Sequence, residues 1–222
     1  MKIILILSFL ISHPSLKTDF KNIYDSKLSK KVLLTGTLPF VLSFSFDRQI
    51  STSIQSLDGR FYKDYFSVTN EFGGKFAIAG IISTYAVASL TDNDKLQDFS
   101  ATAFESMFFA GTTTMVLKIL IGRARPNFTD DPYSFSPLNL HDYYQSLPSG
   151  HTTIAFAWLT VLSNYYGENK IVRYGSYTLA ASTALARVYK NRHWLSDTVL
   201  GAMIGYYFGK KLSELHLKGG KE

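Results

Sequence analysis

Three side chains near the C-terminal end of the sequence could perform nucleophilic chemistry. Arg187, His193 and Asp197 stand six and then four positions apart, with apolar, helix-like sequence on both sides. If His193 and Asp197 share a helical turn, their side chains lie on one face. An aspartate that accepts from one ring nitrogen fixes the tautomer and leaves the other nitrogen available for attack. The arginine supplies a fixed cation for an anionic substrate such as a phosphate group.

A second group of basic residues stands upstream, at the end of a long apolar stretch. Lys118 and Arg125 are seven positions apart, which is two helical turns and the same face, and Pro126 then stops the helix or turns the chain. A lysine and an arginine that project from one helix end would make an anion clamp. The alternative is structural: Lys118 extends its ammonium group from a buried helix while the neighbouring arginines lie on the surface.

A third motif, Pro148-Ser149-Gly150-His151, comes directly before an apolar run with helical periodicity. Ser149 is a natural N-cap, and Gly150 allows the backbone to approach a ligand closely. The free amides at a helix N-terminus form an anion site together with the helix dipole. His151 would stand in the first helical turn and point at whatever is bound there. An ordinary helix cap with an exposed histidine is the alternative.

Long apolar stretches with short links connect these motifs and predict an all-α bundle of five to six main helices. If sequential helices are antiparallel, the helix ends that carry the three motifs meet at one end of the bundle. The active site is therefore predicted there. No alternating strand pattern of any length appears. The clearest helices are predicted over residues 75–90, 98–122, 151–166, 171–189 and 194–212.

The composition restricts the class of protein without settling it. A chain of 222 residues fits one domain. Its net charge of +6 suits an anionic partner, but the basic residues are scattered, which argues against nucleic acid and leaves membrane lipid. Cysteine is absent, so no disulfide framework or thiolate metal site is available. Hydrophobic residues make up 46%, yet the mean hydropathy is only +0.03, so a soluble helical domain and a membrane bundle both remain open.

The N-terminal part of the chain divides into a leader and a connecting segment. Residues 1–15 are predicted as a signal peptide, because one lysine precedes an apolar run that is too short to span a bilayer. The alternative is an interfacial helix. Residues 16–71 are predicted as an N-terminal segment with an apolar or interfacial helix at 32–46. Pro39 makes this helix a marginal membrane span. Amphipathic or loop structure follows it. The bundle domain is predicted over residues 72–216.

Together the three motifs resemble the type 2 phosphatidic acid phosphatase family, within the superfamily that also holds bacterial acid phosphatases and vanadium haloperoxidases. Ala186 stands where the family usually has serine, which puts one auxiliary hydrogen bond in doubt and no ionisable group. The resemblance implies a helical, metal-independent phosphomonoesterase that needs no cofactor. It rests on Lys118…Arg125-Pro126, on Pro148-Ser149-Gly150-His151 and on Ala186-Arg187…His193…Asp197.

The resemblance also assigns roles to individual residues. It implies that His193 attacks phosphorus and forms a phosphohistidine, with Asp197 orienting its ring. It implies that His151 protonates the leaving oxygen and then activates water. The groups implied to hold the phosphoryl oxygens are the side chains of Lys118, Arg125 and Arg187 and the backbone amides of Ser149 and Gly150.

Location and substrate stay open at the level of sequence. Both consistent membrane schemes, with a cleaved signal or with 32–46 as a span, give a bacterial-type inner-membrane protein whose active site faces the periplasm. The substrate would then be a lipid phosphate: phosphatidic acid, phosphatidylglycerol phosphate, undecaprenyl pyrophosphate or a lipid A phosphate. A periplasmic or secreted soluble acid phosphatase and a non-enzymatic envelope protein are the alternatives. His13, His141 and His216 are interpreted as surface residues without partners.

Overall fold

The computed structural model describes residues 26–219, so the predicted signal peptide lies outside the described residues. Within that range the chain forms seven α-helices and two single-turn 3₁₀-helices, at Glu71–Gly73 and Asp142–Tyr144. The α-helices are α1 Ser26–Gln55, α2 Arg60–Asn70, α3 Lys75–Leu90, α4 Asp94–Ile121, α5 Gly150–Tyr166, α6 Lys170–Tyr189 and α7 Leu195–Gly219.

The predicted all-α fold is confirmed. The described part of the chain has no strand, only an isolated bridge between Arg123 and Phe135. The five clearest predicted helices correspond to α3–α7, with the largest difference at the end of α7. α4 begins earlier than predicted because Asn93 caps it by accepting a hydrogen bond from the amide of Leu96. The helices beyond that prediction, α1 and α2, come from the N-terminal segment.

The N-terminal helix α1 is longer than the apolar run that predicted it. It continues through Pro39 and past Phe46 to Gln55. The apolar pattern stops at Phe46 because the next inward-facing residues are polar: Asp47 and Ser51 are both buried. α1 packs mainly along α7. It therefore brings polar side chains of the N-terminal segment into the protein interior.

Helix α2 is the amphipathic element of the N-terminal segment. Its inward face carries Phe66, whose ring stacks on Tyr189 at 4.5 Å, and Thr69, whose carbonyl oxygen accepts from the Thr183 hydroxyl at 2.8 Å. Phe61 on its outward face is exposed. α2 thus covers α6, and the 3₁₀ turn that follows it reaches the start of α5.

The most extensive helix contact lies between the parallel helices α5 and α7, and glycines on one face of α7 permit it. A Cβ atom at Gly205 would lie 2.3 Å from the carbonyl oxygen of Thr153, and one at Gly209 would lie 2.4 Å from that of Ala157. Gly201 continues this face one turn earlier. Larger residues would push the helices apart. The N-termini of α5 and α7 therefore lie side by side.

The outer faces of α1, α3 and α4 are strongly apolar. By length and hydropathy, α4 is the one described helix that could cross a membrane alone, and α2 with α3 could form a second span with a bend of 53°. The remaining helices of residues 26–219 do not meet this criterion. The exposed apolar side chains on these faces include Leu34, Leu38, Val41, Ile78, Leu90, Phe108, Met115 and Val116.

Candidate active site

The segment between α4 and α5, residues 122–149, folds over the end of the bundle at which the three motifs meet. Gly122 ends α4 in the left-handed conformation, with φ of 62°. A Cβ atom at this position would lie 1.8 Å from the carbonyl oxygen of Ser136. Both the conformation and the close approach require glycine. The segment then runs back, and the amide of Ser146 donates to the carbonyl oxygen of Arg123 at 2.9 Å.

His193 lies in the link between α6 and α7 and is 2% exposed. Its Nδ1 atom is 2.8 Å from the carbonyl oxygen of Ser146. A carbonyl only accepts, so Nδ1 carries the hydrogen and Nε2 the lone pair. Among residues 26–219, none is hydrogen-bonded to Nε2. Burial lowers the pKa of His193 well below its ordinary value, and the charges of Lys118 and Arg187 lower it further. The imidazole is therefore neutral at neutral pH.

Asp197 supports this arrangement through Ser146 and not through a direct hydrogen bond to the imidazole. His193 precedes α7 instead of sharing its first turn, and its Nδ1 atom is 3.7 Å from Asp197 Oδ2. That oxygen accepts from the Ser146 hydroxyl at 2.5 Å and from the amide of Trp194 at 2.8 Å. The expectation that Asp197 itself accepts the ring hydrogen is therefore corrected. Asp197 fixes Ser146, and the Ser146 carbonyl fixes the tautomer of His193.

Two of the predicted cations come from the end of α4 and the segment after it. Lys118, in the last turn of α4, donates to the carbonyl oxygens of Gln145 and Ser146. Arg125 is buried and donates to the backbone carbonyl of Asp142 at 2.9 Å and to its carboxylate at 2.7 Å. Burial lowers the pKa of Arg125, and the Asp142 carboxylate opposes that shift. Both cations are thus fixed by the segment that covers the site.

Arg187 has a buried donor that no described residue uses. It comes from the last turn of α6, is 7% exposed, and donates from Nη1 to Asn70 Oδ1 at 2.6 Å. Its Nε–H group is buried and has no partner among the described residues. A buried donor of this kind costs about 1–3 kcal/mol when it stays unpaired. A phosphoryl oxygen would remove that cost by accepting from it.

His151 stands in the first turn of α5, against the 3₁₀ turn that follows α2. A Cβ atom at Gly73 would lie 2.2 Å from the carbonyl oxygen of His151, and one at Gly74 would lie 3.3 Å from its Nε2 atom. The two glycines therefore let the backbone pass directly beside this residue. His151 is partly exposed. Burial and the charge of Arg187 lower its pKa to about 4, and the Glu71 carboxylate opposes that shift. His151 is also among the groups that act on the pKa of His193. The two imidazoles thus belong to one site, with His151 on the solvent side.

The start of α5 differs in one respect from the predicted anion site. Ser149 is fully buried at the N-cap position, but its hydroxyl accepts from Thr152 Oγ1 and makes no cap hydrogen bond. Its amide donates to the carbonyl oxygen of Asp197 at 2.9 Å. The Ser149 amide is therefore not available to a phosphate, which corrects that expectation. The amide of Gly150 has no acceptor among residues 26–219, and a Cβ at this glycine would lie 3.9 Å from Lys118 Cε.

A buried ion-pair network behind Asp197 is not predicted from the sequence. Arg123 is 0% exposed, in contrast to the interpretation that placed it on the surface, and it donates to Asp47 and Asp197, both at 2.7 Å. Asp47 comes from α1 and is equally buried. The available signal is Asp47 itself, a charge directly after the apolar run that predicted α1. Ser146 and Asn70 are further contacts that no sequence motif indicates.

The interpretation of the remaining histidines as surface residues without partners is wrong for His216. His141 is exposed as expected, although it has a partner in the neighbouring backbone. His141 Nδ1 accepts from a backbone amide two residues further on, at 3.2 Å. His216 contacts two acids: its Nδ1 atom is 2.7 Å from Asp98 Oδ1, and its Nε2 atom is 3.2 Å from Glu105 Oε2. The His216 side chain is only 5% exposed. His13 lies outside the described residues.

The chain matches the model of a known protein family. The family model of the PAP2 superfamily matches residues 100–218, which is more than half of the chain. The protein therefore belongs to the PAP2 superfamily. The matched range extends from α4 to α7 and contains every residue of the three motifs.

Two curated relatives are both named lipid A 1-phosphatase. The chain is 41% identical to the one from Porphyromonas gingivalis over 66 residues, which cover 29% of this chain and 15% of the relative. It is 30% identical to the one from Rhizobium johnstonii over 107 residues, which cover 47% of this chain and 43% of the relative. The chain thus spans less than half the length of these relatives.

Two solved structures share the fold. A transmembrane PAP2-type phosphatidylglycerolphosphate phosphatase from Bacillus subtilis superposes with a TM-score of 0.66 at 20% identity, covering 83% of this chain and 96% of that one. LpxE from Aquifex aeolicus gives a TM-score of 0.57 at 20% identity, with 78% and 95% covered. At this level of identity, the similarity establishes the helical fold.

Proposed function

We propose that the protein is a phosphatase that hydrolyses a lipid phosphomonoester through a phosphohistidine intermediate, without a metal ion or cofactor. The observation that carries the proposal is the environment of His193. Its buried, neutral imidazole has an unbonded Nε2 atom, and the same site contains the unpaired Nε–H group of Arg187. A nucleophilic nitrogen and preorganised donors for phosphoryl oxygens are what phosphoryl transfer requires.

In the first step, the Nε2 lone pair of His193 attacks phosphorus, and the P–O bond to the leaving group breaks. The new N–P bond makes the imidazole ring positive. That charge is stabilised by the Ser146 carbonyl, which accepts from Nδ1, and by the Asp197 carboxylate 3.7 Å away. His151 donates a proton to the leaving oxygen, so that an alcohol departs and not an alkoxide. Burial and the charge of Arg187 lower the pKa of His151 to about 4. The negative charge of a phosphate bound beside the ring opposes this shift, so the ring carries its proton when substrate is bound.

In the second step, water replaces the imidazole on phosphorus. His151 is now neutral and takes a proton from water as its oxygen attacks the phosphohistidine. The N–P bond breaks, inorganic phosphate leaves, and His193 recovers its lone pair. The partly exposed position of His151 supports this double role, because the alcohol must leave and water must enter beside the ring between the two steps.

The cations would stabilise the charge on the phosphoryl group in both steps. Arg187 offers an Nε–H that no described residue uses, and the amide of Gly150 adds a second donor. Lys118 and Arg125 are held in place by backbone carbonyls and by Asp142, so little reorganisation is needed when the substrate binds. Each donor of this kind is typically worth about 10²–10³ in rate.

The lipid nature of the substrate is supported by the relatives and by the surface of the bundle. Two relatives carry the name lipid A 1-phosphatase, and a protein of the same fold is a phosphatidylglycerolphosphate phosphatase. The apolar outer faces of α1, α3 and α4 suit contact with acyl chains. We therefore expect a lipid A phosphate or phosphatidylglycerol phosphate, embedded beside the bundle with its phosphate at the site.

The distribution of lysines supports a site on the periplasmic side of the membrane. α1 begins with a lysine cluster and carries Asp47, beside the site, roughly 25 Å further along its axis. The end of α7 away from the site is also basic. Lysines favour the cytoplasmic side. The lysines concerned are Lys27, Lys30, Lys31, Lys210 and Lys211.

Labelling of a Leu138→Cys variant by a membrane-impermeant maleimide in intact cells tests the periplasmic position of the site, since the chain has no other cysteine.

The function is tested with the purified full chain in detergent. We expect phosphate release from lipid A or phosphatidylglycerol phosphate that persists in EDTA and is inhibited by vanadate, a mimic of the five-coordinate transition state. Rapid acid-free quenching with labelled substrate should trap phosphohistidine on His193. Absence of release from every lipid phosphate and from p-nitrophenyl phosphate would contradict the phosphatase assignment. Release from the soluble ester alone would contradict the lipid specificity, and loss of activity in EDTA would contradict the metal-independent mechanism.

A further inference from the structure

We infer that Asp47 on α1 is a positioning residue for the candidate active site, acting through Arg123 and Asp197 on the ring of His193. This inference rests on the proposed phosphatase function. Asp47 lies outside the range 100–218 that defines the family match. A positioning role for Asp47 would therefore give the N-terminal helix α1 a part in the reaction.

Asp47 accepts three hydrogen bonds in a fully buried position. Its Oδ2 atom accepts from Arg123 Nη2 at 2.7 Å and from the Ser196 hydroxyl at 2.6 Å, and its Oδ1 atom accepts from the amide of Ser196 at 2.8 Å. All three contacts are donors, as an ionised carboxylate requires. Burial raises the pKa of Asp47, and Arg123 and Ser196 oppose that shift by favouring the ionised form. Ser196 stands in the first turn of α7, where amides lack partners within the helix. Asp47 thus anchors the N-terminus of α7 from another helix.

Arg123 connects Asp47 to Asp197, and every N–H group of its guanidinium donates a hydrogen bond. Nε and Nη2 donate to the carbonyl oxygen of Pro132, and Nη2 also donates to Asp47. Nη1 donates to Ser196 Oγ at 2.6 Å and to Asp197 Oδ1 at 2.7 Å. The group also lies 4.8 Å from the ring of Phe44. A planar fork with every donor engaged has one orientation, so the position of Asp47 determines where Arg123 meets Asp197.

The path from Asp47 ends at the nucleophile. Asp197 receives Arg123 on Oδ1 and the Ser146 hydroxyl on Oδ2. The carbonyl of Ser146 then accepts from Nδ1 of His193. If Asp47 is neutralised, the Ser196 donors and one side of Arg123 lose their anion, and the guanidinium shifts toward Asp197. The ring of His193 then loses its alignment with phosphorus, whereas the substrate contacts of Arg125 and Arg187 are untouched.

The test is the isosteric variant Asp47→Asn in the full chain. We expect kcat to fall by about 10–100-fold with KM nearly unchanged, because a small misplacement of the reacting atom affects the transition state more than binding. The matched control is Ser43→Ala, one turn earlier on the same buried face of α1, which should retain the kcat of the wild type. An unchanged kcat in Asp47→Asn would overturn the inference, as would an equal loss in Ser43→Ala.

A double-mutant cycle distinguishes positioning from general loss of structure. If Asp47 acts through Asp197, adding Asp47→Asn to Asp197→Asn should lower kcat by less than about 2-fold further. If the loss of kcat in the double variant equals the product of the losses in the two single variants, the inference is overturned. If Asp47→Asn does not fold, Ser196→Ala is the second test, because it keeps the charges of Asp47 and Arg123. It should lower kcat several-fold at constant KM. An unchanged kcat in Ser196→Ala would overturn the inference. An inactive wild type would instead refute the proposed function itself.

Discussion

The two ends of the bundle each contain a buried histidine beside carboxylates, but they differ in which groups contact the two ring nitrogens. At the end away from the site, which we call the far cluster, His216 contacts Asp98 and Glu105 through its two ring nitrogens. The Tyr165 hydroxyl also donates to Asp98, at 2.5 Å. The two clusters are roughly 30 Å apart along α4, from Asp98 to Lys118.

The active-site end has poorer contact between histidine and carboxylate, yet it is the end suited to catalysis. The Nδ1 atom of His193 is 3.7 Å from Asp197, longer than the 2.7 Å between His216 and Asp98. However, both ring nitrogens of His216 are occupied by acids, whereas His193 keeps its Nε2 lone pair. The site end collects cations, and one of them, Arg187, retains an unpaired buried donor.

This difference shows that proximity of histidine and aspartate does not identify a nucleophile. What identifies it is a ring nitrogen left without a partner, together with positive charge that the protein does not neutralise. A carboxylate on each ring nitrogen makes a structural tie between helices, here between α7 and the start of α4. The comparison predicts opposite consequences for equivalent substitutions at the two ends.

The largest expected effect is the loss of activity when His193 is replaced by alanine, and His216→Ala is the comparison. His193→Ala should lower kcat by at least about 10⁴-fold, because it removes the nucleophile, while its melting temperature stays close to that of the wild type. His216→Ala should keep most of the activity. It should lower the free energy of unfolding by about 1–3 kcal/mol, because the buried Glu105 loses a partner. Phosphate release and thermal denaturation measure the two effects, and a loss of turnover in His216→Ala would break the comparison.

The next effect concerns the unpaired arginine. Arg187→Lys keeps a positive charge and loses the planar fork and the Nε–H group, so kcat should fall by about 10²-fold. Arg192→Lys is the matched control, because Arg192 is partly exposed and only 3.4 Å from Asp142 at its nearest approach. It should behave like the wild type. Similar rates for the lysine and arginine forms at position 187 would show that charge alone is required there.

The sequence predicts the helices and the meeting of the three motifs, because apolar periodicity and antiparallel packing act locally. It does not predict the contacts that orient the groups. Asp47 is missed because its partner Arg123 is 76 residues away, and nothing local marks a buried polar face on α1. His216 is misread for the same reason: Asp98 and Glu105 lie 118 and 111 residues upstream.

Hydrogen bonds to backbone groups are also not predicted by residue types and their spacing. The spacing of His193 and Asp197 fits a direct hydrogen bond in a helical turn, but the helix begins after His193 and the Ser146 carbonyl takes the ring hydrogen. In the same way, the amide of Ser149 is at a helix N-terminus and still donates to the Asp197 carbonyl. Side-chain types at fixed spacing indicate which groups take part. Only the fold determines which backbone groups remain available to a substrate.

The smallest expected effect is on the pH dependence of stability, and it comes from the lowered pKa of His193. An unfolded histidine titrates near pH 6.5, whereas the folded His193 stays neutral to a considerably lower pH. Below about pH 6.5 the unfolded chain therefore binds the additional proton, and the free energy of unfolding falls by up to about 1.4 kcal/mol per pH unit from this group. Above that pH the contribution is fully present.

His193→Gln removes this contribution and should show a shallower fall in melting temperature between pH 6.5 and pH 5 than the wild type. The measurement requires buffers without phosphate, because an anion held by Arg187 would itself stabilise the folded state and change the charge beside the imidazole. Parallel curves for wild type and variant would mean that His193 is protonated in the folded protein. Burial and the cations around the ring would then fail to keep the nucleophile neutral, which would contradict the proposed first step.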